Sequence, residues 1–60
     1  MSIQLITDEA NDYIKRYPHL EDEIREHACL AVEEIYDGGS PHHEYELFHD
    51  EMLALVERQP

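Results

Sequence analysis

The chain has 60 residues, enough for one domain at most, and a chain of this length buries only about 60% of the surface that its unfolded form exposes. Its 15 Asp and Glu residues against 4 Lys and Arg residues give a formal charge of −11, which repels nucleic-acid phosphates and anionic lipid surfaces. Direct binding to DNA, RNA or a membrane is therefore not expected, whereas a basic protein surface would be attracted.

Disorder is the alternative reading for so acidic a chain. Against it stand a hydrophobic content of 42% and an apolar pattern that is periodic along the chain. Cys29 is the only cysteine, so a disulfide within one chain and a zinc finger are both excluded as stabilising elements. We therefore expect well-packed helices, or a homodimer that enlarges the core.

The first six residues carry no basic start and no long apolar run, so they do not resemble a signal peptide or a membrane span. Together with the lone thiol, this favours a cytoplasmic location. We expect residues 1–6 to form an extended arm, or a short strand if a partner edge exists.

The first helix is predicted over residues 7–17. Thr7 is a suitable N-cap, and Asp8 and Glu9 would lie where the helix dipole favours negative charge. Pro18 ends this helix, because its ring is incompatible with a continuing helix. The predicted buried face holds Ala10, Tyr13, Ile14 and Tyr17, and the opposite side holds Asp8, Glu9, Asp12, Lys15 and Arg16.

The second helix is predicted over residues 19–37, with Pro18 in its first turn and Gly38 and Gly39 ending it. Its apolar stripe covers about half of the circumference, so we expect it to contact two neighbouring helices. The stripe consists of Leu20, Ile24, Ala28, Ala31 and Ile35, extended sideways by Cys29, Val32 and Tyr36.

The third helix is predicted over residues 41–58, with Ser40 as N-cap and Pro41 at the first helical position. Its apolar face holds Tyr45, Phe48, Met52, Leu55 and Val56, with His49 in the same arc. The connections are short, as in antiparallel bundles. The predicted fold is a small all-α three-helix bundle, with a short first helix and two longer antiparallel helices, and homodimerisation is a further way to complete it.

Catalytic chemistry finds little support in this sequence. Cys29 is on the apolar side of the second helix, where we expect a small buried hydrophobic residue and not a nucleophile. Carboxylates are abundant, but nothing marks two of them as a catalytic pair. We therefore predict a protein that is not an enzyme and that needs no cofactor.

A metal site is the weakest of the candidate sites. His42, Glu46 and His49 have the i, i+4, i+7 spacing that puts imidazole and carboxylate on one helical face, where they could bind zinc or nickel. The alternative is that His49 is half-buried beside Phe48 and that His42 is a solvated residue of the first turn.

Two rows of carboxylates are the main candidate for a binding surface. Asp22, Glu26 and Glu33 align on the second helix, with Glu23 and Glu34 beside them; a second row on the third helix holds Glu46, Asp50 and Glu57. Side chains one helical turn apart are about 5–6 Å from each other, close to the roughly 7 Å between successive phosphates. Such rows can imitate a nucleic-acid backbone, although an acidic face that only keeps a protein soluble is the alternative.

In size, predicted helicity and charge the chain resembles the acidic DNA-mimic inhibitors that phages encode. The resemblance is one of composition and implies a protein that occupies a basic, nucleic-acid-binding surface of another protein. The alternative hypothesis is a self-associating or adaptor helical module that makes contact through apolar residues outside its main stripes, which are Leu30, Leu47 and Leu53.

Overall fold

The computed structural model of the protein describes residues 2–58, which form three α-helices and no strand. Helix α1 is Ser2–Arg16, a 3₁₀ helix covers Pro18–Leu20, α2 is Glu21–Tyr36, and α3 is Pro41–Glu57. Each α-helix packs against the other two, which confirms the all-α bundle and the prediction that α2 has two neighbours. Among residues 2–58, no helix has the length and apolar character that crossing a membrane requires.

The extended arm predicted at residues 1–6 is wrong where the structure describes it, because α1 already begins at Ser2; Met1 lies outside the described residues. Thr7 is not an N-cap. Its hydroxyl donates a hydrogen bond to the backbone carbonyl of Ile3 at 3.0 Å, which is the back-bonding that threonine makes inside a helix. Ile6 is fully buried, so helix packing decides the start of α1 over the local cap signal.

The connection from α1 to α2 follows the proline signal. Tyr17 has φ −130° and ψ 66°, outside the helical region, which confirms that the first helix ends before Pro18. The turn that follows is a 3₁₀ helix, so α2 begins at Glu21, later than the predicted residue 19. Leu20, in this tighter turn, is buried and closes this end of the core.

The turn from α2 to α3 confirms the predicted stop and start signals. Gly38 has φ 101°, a left-handed conformation that glycine adopts without side-chain strain. Gly39 donates its N–H to the Glu34 carbonyl at 2.8 Å, and a Cβ on Gly39 would lie 2.7 Å from that oxygen. Ser40 then accepts a hydrogen bond from the His43 N–H and caps α3.

The core is one cluster of buried apolar side chains contributed by every helix. Its largest fully buried members are Ile6 of α1, Ile24 of α2, and Phe48 and Met52 of α3. The remaining buried members are Ala10, Leu20, Ala31 and Leu55. The predicted central stripe of the second helix and the predicted apolar face of the third are therefore the faces that the bundle buries. Tyr36, predicted to extend the stripe of the second helix sideways, is instead 77% exposed.

Cys29 is a correction, because it is exposed and not a buried hydrophobic residue. At 3.6 residues per turn, Cys29 lies about 140° around the helix from the buried Ile24. This rotation puts the thiol beyond the edge of the face that α1 and α3 cover. The broad stripe predicted for the second helix was therefore too wide on this side.

The adjacent residues Met52 and Leu53 test the packing of α3. Met52 is fully buried and Leu53 is 43% exposed. We expect Met52→Ala to lower the free energy of unfolding by about 2–5 kcal/mol, since it leaves a cavity in the core. Leu53→Ala should change it by no more than about 0.5 kcal/mol. Urea denaturation followed by circular dichroism measures both, and equal losses would contradict this core.

Candidate protein-binding surface

The row of carboxylates predicted on the second helix lies on the solvent side of α2. Asp22, Glu26 and Glu33 are all exposed, as are the flanking Glu23 and Glu34. The row lies opposite the stripe that includes Ile24 and Ala31, because residues four and seven positions apart share one side of a helix. Packing of the core therefore presents these carboxylates outward on a fixed helix.

The row predicted on α3 is exposed as well. Glu46, Asp50 and Glu57 all lie on the side of α3 away from Phe48 and Met52. Glu46 is 3.5 Å from His42 one turn earlier, an exposed pair that adds little to stability. The two rows belong to different helices and both face away from the core.

The basic residues do not neutralise either row. Arg16 pairs with Asp12 at 3.3 Å, and Arg25 pairs with Glu21 at 2.7 Å, each within its own helix. In the part of the chain that the structure describes, the α2 row and its flanking residues form no ion pair. These carboxylates are therefore open to a partner's cations.

A groove of about 160 Å³ runs between α2 and α3. Ala31 and the buried Phe48 lie at its base, and Leu30 and Leu47 lie along its sides. Its other lining residues are polar or charged: His27, Glu34, Glu44 and Glu51. We call this feature the α2/α3 groove. It combines apolar surface with three carboxylates, and only Glu34 among them was predicted as a partner-binding residue.

The structure separates the three apolar residues that the sequence grouped together. Leu30 is 54% exposed, and Leu47 and Leu53 are each 43% exposed. Leu30 and Leu47 both line the α2/α3 groove, whereas Leu53 does not. Leu53 is thus an exposed aliphatic residue outside that groove.

Glu9 connects α1 to α3. The Tyr45 hydroxyl donates a hydrogen bond to one Glu9 oxygen at 2.8 Å, and His49 Nδ1 is 2.9 Å from the other oxygen. The Glu9 side chain is only 16% exposed, so its predicted place on the solvent side of the first helix is wrong. The rotation of α1 that buries Ile6 also turns Glu9 towards α3.

Glu9 also affects the tyrosines around it. The hydrogen bond to Glu9, and then the negative charge of Glu9, raise the pKa of Tyr45 above 10.0, because both favour the protonated phenol. Burial and then the charge of Glu9 raise the pKa of Tyr13. The same carboxylate therefore acts on one tyrosine in α1 and on one in α3.

The predicted metal ligands are not brought together. His42 is beside Glu46, while His49, whose side chain is 47% exposed, is turned towards Glu9 on another helix. Among residues 2–58, no group of three His, Cys, Asp or Glu side chains is arranged to hold a metal ion. His42, Glu46 and His49 do lie on one helix, as their spacing predicted, but the His49 ring contacts Glu9 of α1.

Several residues of the groove were not found from the sequence. His27 of α2 and Glu51 of α3 are 3.3 Å apart across the helix interface, and both line the groove. Glu44, Leu47 and Glu51 have the i, i+3, i+7 spacing of one helical face, which is the signal in the sequence that indicates a shared surface. Their meeting with Leu30 and Glu34 depends on how the two helices pack.

Comparisons with protein families, with curated proteins and with solved structures find no match to this chain.

Glu9→Gln tests the connection between α1 and α3. We expect the pKa of Tyr45 to fall towards 10.0, since glutamine removes the negative charge that favours the protonated phenol. The pKa of Tyr13 should fall too, by less, because burial is the larger cause of its shift. Titration of the tyrosine ring carbons by NMR measures both values.

The same contact predicts a dependence of stability on alkaline pH. A phenol whose pKa is higher in the folded than in the unfolded state stabilises the fold below the unfolded pKa, and this contribution is lost as pH rises through the folded pKa. The loss above about pH 10 should be smaller in Glu9→Gln. An unchanged Tyr45 pKa in that variant would show that the contact with Glu9 is not made in solution.

Proposed function

We propose that this protein is a non-enzymatic binding module that docks an acidic helical face onto a basic surface of another protein. The observation that supports this most is the α2 row, whose exposed carboxylates have no cationic partner among the described residues. A basic partner would supply the missing positive charge, and the field of a protein with a net charge of −11 would speed the encounter.

The kind of basic surface follows from the spacing of the carboxylates. Glu33 follows Glu26 by two helical turns, about 10 Å along the helix axis, whereas Asp22 and Glu26 are one turn apart, at about 5–6 Å. This is close to the spacing of phosphates along a nucleic-acid strand, which a nucleic-acid-binding surface is built to accept. We therefore propose a DNA-mimic role of the phage-inhibitor type, in which the protein occupies such a surface in the cytoplasm and blocks it.

Two charge-neutralised variants of equal net charge test this role. One changes the α2 row by Asp22→Asn, Glu26→Gln and Glu33→Gln. The other changes the α3 row by Glu46→Gln, Asp50→Asn and Glu57→Gln. Host proteins captured by the wild-type protein at low salt should be released by high salt and by added duplex DNA, because both compete for the basic surface.

The comparison of the two variants identifies the row that binds. We expect one variant to lose most of the capture and the other to lose less, because the two rows lie on different helices. Equal, partial losses in the two variants would mean that net charge and not a carboxylate row drives binding. Capture that resists both salt and DNA would rule out the mimic.

A second candidate is a self-associating or adaptor module that uses its exposed leucines. Leu30, Leu47 and Leu53 leave apolar surface uncovered on a small chain, and a homodimer would enlarge the core. Because each copy carries a charge of −11, we expect such a dimer to strengthen as salt rises. Sedimentation equilibrium at two salt concentrations measures the strength of the dimer, and a monomer at both concentrations would contradict the self-association hypothesis.

A further inference from the structure

The α2/α3 groove combines exposed apolar side chains with carboxylates, and neither alone would indicate what binds there. Leu30 and Leu47 remain exposed although each lies beside a core residue, Ala31 and Phe48 respectively, so apolar surface continues from the core into the groove. Glu34, Glu44 and Glu51 lie along the same groove. An occupant therefore needs apolar groups to cover the leucines and positive charge to meet the carboxylates.

The size of the groove indicates how it would be filled. Its volume of about 160 Å³ is similar to that of an engineered apolar cavity of roughly 150 Å³ that binds benzene. One large aliphatic or aromatic side chain would fit between Leu30 and Leu47 and reach Ala31. Interfaces commonly depend on one such anchor residue that enters a pocket of the partner.

The charge of the groove selects one occupant over the others. A second copy of this chain would bring further carboxylates to a surface that already holds three. A neutral apolar helix would leave Glu34 and Glu44 without a cationic partner among the described residues, since only Glu51 has one, His27 at 3.3 Å. A helix with an apolar stripe flanked by lysine or arginine satisfies both requirements. Such a helix would lie along α2 and α3 as a fourth helix of the bundle.

We propose that the α2/α3 groove binds an amphipathic basic helix of another protein, which inserts one large apolar side chain between Leu30 and Leu47 and pairs its cations with Glu34, Glu44 and Glu51. This rests on the proposed function for the basic character of the partner. It adds to the carboxylate rows a further contact, the groove beside the α2 row, and an apolar anchor that neither row supplies. Binding then combines electrostatic steering with burial of apolar surface, and the apolar part resists salt.

Two synthetic peptides of the same composition serve as probes. Both contain about 16 residues of leucine and lysine, capped at both ends. In the patterned peptide the leucines repeat at i, i+4 and i+7, and in the scattered peptide they do not. Isothermal titration gives the affinities, and NMR shifts of the leucine methyl groups show where each peptide binds. We expect the patterned peptide to bind more tightly and to shift Leu30 and Leu47 most.

Matched variants of the protein locate the apolar anchor. Leu47→Ser and Leu53→Ser remove equally exposed leucines from the same helix, at 43% each, but only Leu47 lines the groove. We expect Leu47→Ser to weaken the patterned peptide about tenfold or more, as for an interface anchor, and Leu53→Ser to leave its affinity unchanged. Leu30→Ser, on the other side of the groove, should repeat the effect of Leu47→Ser.

A second matched pair tests the charges. Glu33→Gln and Glu34→Gln remove the same charge from adjacent exposed residues of α2, and only Glu34 lines the α2/α3 groove. We expect Glu34→Gln to weaken the patterned peptide more than Glu33→Gln does. Circular dichroism of every variant should remain that of the wild type, since none of the changed side chains is buried.

Four results would overturn the proposal, and they separate its failure from that of the proposed function. If the two peptides bind with equal affinity, and Glu33→Gln and Glu34→Gln weaken them alike, binding is electrostatic but the α2/α3 groove is not the binding site. If Leu47→Ser and Leu53→Ser change the affinity for the patterned peptide equally, the groove is again not the binding site. If the NMR shifts of the leucine methyl groups change with protein concentration in the absence of peptide, the groove binds a second copy of the protein. No binding of either peptide at low salt would remove the proposed function as well.

Discussion

The arrangement of the three helices is set by one cluster of packed side chains, Ile6, Ile24, Phe48 and Met52. These fully buried side chains come from all three helices, so their contacts fix the rotation of each helix about its axis. A chain of 60 residues has little other apolar surface to bury, and no disulfide within the chain is available to replace this packing. Every outward-facing group, including the carboxylate rows, takes its direction from this cluster.

The charge of the protein opposes its own folding, and the bundle accommodates it by keeping nearly all carboxylates at the surface. Among the described residues no charged side chain is buried, and two arginines are held by carboxylates of their own helices. Glu9 comes closest to the interior, where Tyr45 and His49 contact its oxygens. These surface carboxylates repel one another, and their combined negative potential attracts basic partners.

A three-helix bundle leaves outward grooves between its helices, and in this protein the groove between α2 and α3 places exposed leucines beside three carboxylates. Leu30 and Leu47 continue the apolar surface of the core beyond the helix interface, and carboxylates lie beside them. The carboxylate rows and the groove therefore offer a partner different kinds of contact. The rows supply long-range attraction, whereas the groove supplies shape and apolar area.

Features that depend on a few neighbouring residues could be predicted from the order of amino acids alone. The helical class, the end of α1 before Pro18, the glycine turn after Tyr36 and the cap at Ser40 all follow from local signals. So does the exposure of both carboxylate rows, since a helical period sorts apolar from charged residues. The eight carboxylates of the predicted surface could thus be placed outward without knowledge of the fold.

Features that depend on contacts between helices could not be predicted in this way. Burial of Ile6 moved the start of α1 to Ser2, and the limited width of the α2 interface left Cys29 exposed. Glu9 meets Tyr45 and His49 across 36 and 40 residues of chain, and the groove joins Leu30 to Leu47. Local signals reach only one or two helical turns, whereas these contacts depend on helix rotation and register, which the packed core sets.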